Sequence, residues 1–243
     1  MTITTIREHL DLTSPLHAAV FACLTTTFLA AACTGEFTIP NLKAFDPACH
    51  ITWAGLSLQR DRNSLEMACF QLPWTKKSPI GEEVNWAKQN GLHNPEEAIN
   101  NHFRINDPPA AVPLFAYHSH MGFMPLTQTK FLKTLDVAIP AAGLPPLKGH
   151  GIHIGATLEY LLQKIPFDMV KVKGCWMGDS FLIYLHKHAQ ILAPYMQANP
   201  EVHTVFCDKP FLRYAGGGRS GLSTGDSYLM GKHPAACIVI PRD

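Results

Sequence analysis

Residues 149–165 read GHGIHIGATLEYLLQKI, and the period of their apolar side chains decides between helix and strand for this part of the chain. Ile154, Leu158, Leu161, Leu162 and Ile165 recur at spacings of three and four, which line one face of an α-helix; a strand would alternate by two. His153, Thr157, Tyr160 and Lys164 fall on a second stripe, so His153 is expected to point away from the apolar face. A further helix is predicted downstream, capped by Asp179 or Ser180. Its core face holds Phe181, Leu182, Leu185, Ala189 and Leu192, while Tyr184, Lys187, His188 and Tyr195 share a different face. Pro194 ends or kinks it.

Working upstream, Leu12 to Gly35 contains no Asp, Glu, Lys or Arg. A membrane span is disfavoured, because Arg7 is flanked by Glu8 and Asp11 rather than by further basic residues, and Thr25, Thr26, Thr27 and His17 dilute the run. The stretch instead predicts a helix from about Leu16 to Ala32 buried on all sides, preceded by a short helix ending near Ser14-Pro15. Residues 50–59 and 64–72 are β-favouring and joined by Arg60-Asp61-Arg62-Asn63, which predicts a hairpin, with a third strand near Glu83 to Trp86. Asn94-Pro95-Glu96-Glu97 opens a helix to about Ile105 through a cap, an N1 proline and first-turn acids, and Asp107-Pro108-Pro109 stops it. Leu126 to Ala138 is helical, and Gly143-Leu144-Pro145-Pro146 ends it. The pattern predicts a mainly helical α+β fold with a small antiparallel hairpin sheet. One domain is expected over residues 5–197, with a possible sub-boundary near 107–113. An irregular tail is expected over 198–243, where Gly216-Gly217-Gly218 occurs and no period is sustained.

The 243 residues are 47% apolar and 16% charged, which excludes a disordered chain, and a net charge of +1 excludes a polybasic or strongly acidic protein. Seven scattered cysteines suggest neither a disulfide framework nor a cysteine-based zinc site. No targeting segment is legible, so a nuclear or cytoplasmic location is expected, the nucleus if DNA is bound. Three histidine pairs, His118 with His120, His150 with His153, and His186 with His188, are spaced to present imidazoles together to a metal. None has the acid of a known metal signature beside it. No nucleophile elbow surrounds a Ser or Cys, no phosphate-cradling glycine loop is present, and no cofactor is implied.

Gly149-His150-Gly151-Ile152-His153-Ile154-Gly155, then Gly174-Cys175-Trp176, then Asp179-Ser180-Phe181-Leu182-Ile183-Tyr184 resembles the catalytic domain of the tyrosine recombinase, or phage-integrase-like, superfamily, and within it the integrases of fungal mobile elements. Ala31-Ala32-Cys33-Thr34-Gly35-Glu36-Phe37 is similar to that family's Arg-x-Gly-Glu segment. Leu72-Pro73-Trp74-Thr75-Lys76 is similar to its β-hairpin lysine segment. The resemblance covers roughly residues 5–197. It implies Tyr184 as the nucleophile that forms a phosphotyrosyl link, His150 as the proton-handling histidine, Lys76 as the donor to the leaving oxygen, and Trp176 as a support for the scissile phosphate.

It also implies two arginines on the non-bridging oxygens, and their positions are held by Cys33 and His153. No arginine occurs between Arg104 and Arg213 that could take the second place. If each lost oxyanion donor costs on the order of 10²- to 10³-fold, two cost about 10⁴- to 10⁶-fold, so strand cleavage is expected to be negligible. Residues 130–188 carry seven lysines, Lys130, Lys133, Lys148, Lys164, Lys171, Lys173 and Lys187, against four acids. That local excess predicts weak, non-specific binding of duplex DNA. The family clamps DNA with an amino-terminal helical domain as well, and little of one is expected ahead of these segments. Two other readings remain at this point: a non-catalytic structural or interaction domain, and a metal-dependent enzyme built on the histidine pairs. The recombinase reading predicts that Cys33, Lys76, His150, His153, Trp176 and Tyr184 converge on one shallow, partly basic surface.

Overall fold

A computed structural model describes residues 2–147 and 149–175 of the chain. The charge-free stretch forms helix α2, Pro15–Leu29, opened by Ser14 and the N1 proline and buried from Ala18 to Thr27. With apolar or small residues on every side, it can be stable only where neighbours exclude water all round. Thr25 and Thr27 remain tolerable there because their hydroxyls donate back to the carbonyls of Phe21 and Cys23, at 3.1 and 2.8 Å. The helix stops three residues short of the expected end. Ala31 takes a left-handed φ of 49°, and a short helix α3, Thr34–Phe37, follows.

Around α2 lie α1 (Thr2–Arg7), α4 (Pro95–Asn106), α5 (Gln128–Ala141) and α6 (Gly149–Leu162), with α7 (Phe167–Lys173) after them. Strands β1 (Leu56–Arg60), β2 (Glu66–Leu72) and β3 (Glu82–Ala87) form an antiparallel sheet in that order. Its register pairs Leu56 with Phe70 and Phe70 with Val84, which puts one apolar face toward the helices. The fold is therefore α+β with a small antiparallel sheet, as the residue pattern implies. Among the described residues no helix is long and apolar enough to cross a membrane.

Several boundaries differ from expectation. The strand expected over 50–59 begins only at Leu56, because Trp53–Gly55 forms a 3₁₀ turn and a Cβ on Gly55 would meet the Gln71 carbonyl at 2.9 Å. Helix α1 ends at Arg7, well before Ser14. Helix α5 runs past Ala138 to Ala141 with Pro140 inside its last turn, and closes at Gly143, whose φ is +69°. A short hairpin, β4 (Tyr117–Ser119) with β5 (Gly122–Met124), and helix α7 were not legible as periods. The helix expected from Asp179, with Tyr184 and Lys187, lies outside the described residues, as does the expected tail over 198–243.

His102 on α4 is fully buried and joins three elements through one hydrogen-bond chain. Its Nε2 faces the Leu114 carbonyl at 3.0 Å and its Nδ1 faces the Asn106 amide at 2.9 Å. Asn106 also donates to the Pro15 carbonyl at 2.9 Å and accepts from the His118 N–H at 2.8 Å, so α4, the start of α2 and β4 are tied together. Burial pushes His102 down to about 4, against the partial opposition of the Leu114 carbonyl. The ring is thus neutral, with Nε2–H donating and Nδ1 accepting. Between pH 6.5 and about 4 the unfolded chain binds a proton at this site that the folded chain refuses, so stability falls as pH falls through that window. His102→Gln keeps a donor toward Leu114 and removes the titration. Urea unfolding at pH 7 and 4.5 should show an acid-induced loss about 2–3 kcal/mol smaller in this variant than in the parent chain; an unchanged loss would assign the acid sensitivity elsewhere.

Candidate functional site

Five segments of the chain surround one cavity of about 600 Å³. Cys33 to Glu36 form one wall with Pro40; Cys49 and His50 form a second; Trp74 to Lys77 form a third; Gln128, His150 and His153 complete it. Four of the expected site residues, Cys33, Lys76, His150 and His153, are therefore brought together. Trp176 and Tyr184 lie outside the described residues. The surface is a concave hollow and not the shallow face expected.

Each wall has a local cause. Cys33 is the N-cap of α3, and its N–H donates to the Glu36 carboxylate at 2.8 Å, the returning half of a capping box. The lysines stand on the β2–β3 connection, whose buried Thr75 donates its N–H to the Ser78 carbonyl and accepts the Ser78 N–H on its hydroxyl, both at 3.0 Å. This turn leaves Lys76 and Lys77 exposed at the rim. His150 and His153 lie one helical turn apart on α6, with ring centroids 6.1 Å apart.

The orientation of α6 corrects the sequence reading. His153 is 3% exposed and Thr157 2%, and they share the buried face with Ile152, Ala156 and Leu161. Leu162 and Ile165, expected in the apolar stripe, are each 37% exposed. The helix is apolar on more than one side, so hydropathy does not choose the buried face; the neighbours do. Gly155 lies against Phe28 of α2, the Thr157 hydroxyl donates to the His153 carbonyl at 2.9 Å, and His153 Nδ1 meets Cys33 Sγ at 3.4 Å. The Thr157 hydroxyl is thereby satisfied within its own helix.

The electrostatics follow from that burial. Desolvation, then Glu36, pushes the Cys33 thiol up to about 11, with Lys77 and Lys76 pulling weakly the other way. Desolvation, then His150 and Lys77, pushes His153 down to about 4. The contact is consequently one between a neutral thiol and a neutral imidazole, and neither Cys33 nor His153 carries charge at pH 7. Burial also raises Glu36 to about 7, helped by Glu82 and opposed by the Cys33 N–H and Lys77. The cations of the hollow are Lys76 and Lys77. Lys77, His50, Cys49 and Gln128 had no signal of their own in spacing, whereas Trp74 lies within the lysine segment quoted above.

Among the described residues, none of the lysines of 130–188 expected to meet phosphates lines the cavity. Lys130, Lys133 and Lys164 are exposed and Lys171 half-buried, on α5, at the α6–α7 turn and on α7. Lys148 and Lys187 lie outside the described residues. Lys173 departs from expectation: its ammonium turns inward, donates to the Asn85 backbone and side-chain oxygens, and stands 5.8 Å from the Tyr160 ring centroid. Burial lowers it to about 8. It is a tie between α7 and β3, and not an outward phosphate contact. His118 is exposed, with its ring 4.2 Å from that of Phe123, and His120 is exposed; His186 and His188 lie outside the described residues. Among the described residues, no three His, Cys, Asp or Glu side chains are already gathered to hold a metal ion.

No protein-family model matches the chain, and no curated protein matches it. Two solved structures are similar to it in fold: an FLP recombinase–Holliday junction complex at 12% identity over 76% of this chain, and an Flpe–Holliday junction complex at 14% identity over 80%, each with a TM-score of 0.48. The chain spans 44% and 48% of the lengths of those two proteins.

The lysine loop depends on Gly81, whose φ is +85° and where a Cβ would stand 2.4 Å from the Leu72 carbonyl. Gly81→Ala should therefore destabilise the chain by more than about 2 kcal/mol, the combined result of left-handed strain and a backbone clash. Equilibrium unfolding measures this, and a loss under half that size would mean the loop relaxes and does not fix Lys76 and Lys77.

Proposed function

We propose that this chain is a DNA-facing domain of the DNA breaking-and-rejoining type that has lost strand-transfer chemistry, a decayed descendant of a mobile-element recombinase. The reading is carried by one observation: Cys33, Lys76, His150 and His153, from three distant segments with the motif resemblance, surround a single cavity. A phenolic attack on a phosphodiester builds negative charge on the non-bridging oxygens, which fixed donors must meet. In this reading His150 and the hairpin lysines remain on the rim while Cys33 and His153 are neutral and engaged with each other. The phosphate would meet two lysines and no bidentate guanidinium, and a lysine ammonium is a point charge that does not fix the oxygens as arginine does. Tyr184 would be the nucleophile position and Trp176 the phosphate support of the ancestral site. Duplex DNA would be held weakly and without sequence preference by Lys76 and Lys77 with the outward lysines Lys130, Lys133, Lys164 and Lys171.

The test uses the full chain and a nicked suicide duplex that traps phosphotyrosyl adducts. No covalent adduct should form, while filter retention of the same duplex should occur at about 20 mM salt and fade with a shallow salt slope. Lys76→Ala with Lys77→Ala should lower retention severalfold. A robust adduct abolished by Tyr184→Phe would overturn the inactivity. Absence of retention at low salt would favour a non-catalytic interaction domain.

A further inference from the structure

A groove lies open between β1, an edge of the three-stranded sheet, and α4. The register aligns Leu58 with Ala68 and Ala68 with Trp86, so Leu58 and Trp86 share the face of the sheet that looks toward the helices. A leucine on such a face is ordinarily covered, yet Leu58 is 71% exposed and Trp53, just before β1, is 41% exposed. Two hollows account for this, of about 290 and 140 Å³, and Leu58, Trp86 and Glu96 border both. Trp53, Leu56, Ile99 and Phe103 wall the smaller one. Trp53 meets Phe103 edge to face, with ring centroids 3.7 Å apart, so part of that wall is flat aromatic surface. A chain of ion pairs rims the larger hollow: Arg60 with Glu66 at 2.7 Å, Glu66 with Lys88 at 2.8 Å, and Lys88 with Glu96 at 3.0 Å. Two cations and two carboxylates cancel, and the rim offers a ligand no net charge. Trp86 itself is 2% exposed, and its indole Nε1–H finds no acceptor among the described residues. That donor has given up water without a replacement, whereas buried polar groups are nearly always paired.

We propose that this groove binds a small, uncharged, flat heteroaromatic molecule of one or two rings, whose acceptor atom takes the Trp86 N–H. Each part of that class has its own reason. Apolar and aromatic walls favour a flat ring, through buried area and edge contacts. The paired rim has no free charge with which to hold an anion or a cation. A ligand without an acceptor leaves the indole donor unpaired, and a site with an unmet buried polar group discriminates against such a ligand. Hollows of this size fall below the roughly 300–1,000 Å³ typical of drug-sized ligands, which limits the occupant to one or two rings. The N–H is buried, so a ligand reaches it by turning aside Leu58, the exposed side chain that borders both hollows. The groove shares no lining residue with the lysine-bearing cavity, and the inference is independent of the DNA-facing reading.

Two probes test the site at neutral pH: quinoline, an uncharged two-ring compound with a ring-nitrogen acceptor, and indole, a two-ring compound with a donor in place of the acceptor. The full chain, labelled with nitrogen-15, gives one indole N–H cross-peak for each of its four tryptophans. The Trp86 peak is identified by its loss in Trp86→Phe or, where that core change does not fold, by exclusion with Trp53→Phe, Trp74→Phe and Trp176→Phe. Quinoline should move the Trp86 peak downfield along a saturable curve. It should bind about tenfold more tightly than indole, the effect of satisfying one buried donor. Leu58→Asp, an exposed change on an edge strand, should weaken quinoline binding severalfold, because it removes an apolar wall and adds an unpaired charge. A Trp86 peak that stays in place up to the solubility limit of quinoline overturns the site. Equal binding of the two compounds overturns it as well, and so does binding that Leu58→Asp leaves unchanged.

Discussion

Helix α2 has no charged residue from Pro15 to Leu29, and a helix apolar on every side can persist only where packing removes water from its whole circumference. That constraint arranges the molecule. One side is met by α4, others by α6 and by the sheet, and the small residues Ala18, Ala19 and Ala22 let these neighbours approach closely. Because α2 is surrounded, its carboxyl end must emerge between layers, and the chain turns there through Ala31 and Ala32 directly into Cys33. The wall of the cavity is thus positioned by the end of the central helix, and His153 faces it because α6 packs on that same helix.

The sheet and the polar chain through His102 do the corresponding work on the other sides. The strand register places Leu56, Phe70 and Val84 on one face, which seats the sheet on the helices and projects the β2–β3 connection toward α3. His102 and Asn106 are satisfied at every described atom they use, so they hold α4 to the start of α2 at no unpaired cost. The cations of the hollow are two exposed lysines of a turn, while the buried thiol, imidazole and carboxyl nearby are all pushed toward neutrality.

Elements with strong local signals were legible: the apolar run for α2, the Asn94-Pro95 start of α4, and the β-favouring run over 64–72 that contains β2. The direction in which α6 faces was not, because Ile152, Ile154, Leu158 and Leu161 surround it and a helix apolar on several sides carries no information about which side is buried. The answer lies in residues more than a hundred positions away, Phe28 and Cys33, which the local period cannot see. Lys173 was misread for a related reason. A lysine counted in a basic stretch is outward by composition, yet its long stem lets the ammonium reach Asn85 between two elements. The convergence of Cys33, Lys76, His150 and His153 became legible through the order of motifs, whereas Cys49 and His50 belong to a connection with no pattern to mark it.

The contact of Cys33 with His153 shows how two largely buried polar side chains can hold α3 and α6 together without a charge at either. Two guanidiniums facing each other repel unless an anion stands between them, so a site built to hold a phosphate is strained when empty, and active sites commonly trade stability for that readiness. A thiol and an imidazole at 3.4 Å attract each other without any ligand. A neutral contact of this kind avoids the desolvation burden that buried ions carry, and it ties the start of α3 to α6. An oxyanion reaching these two side chains would find neutral groups already in contact with each other. The packing of α3 against α6 therefore stands on a neutral pair, and the positive charge of the hollow lies apart from it, with Lys76 and Lys77 on the β2–β3 connection.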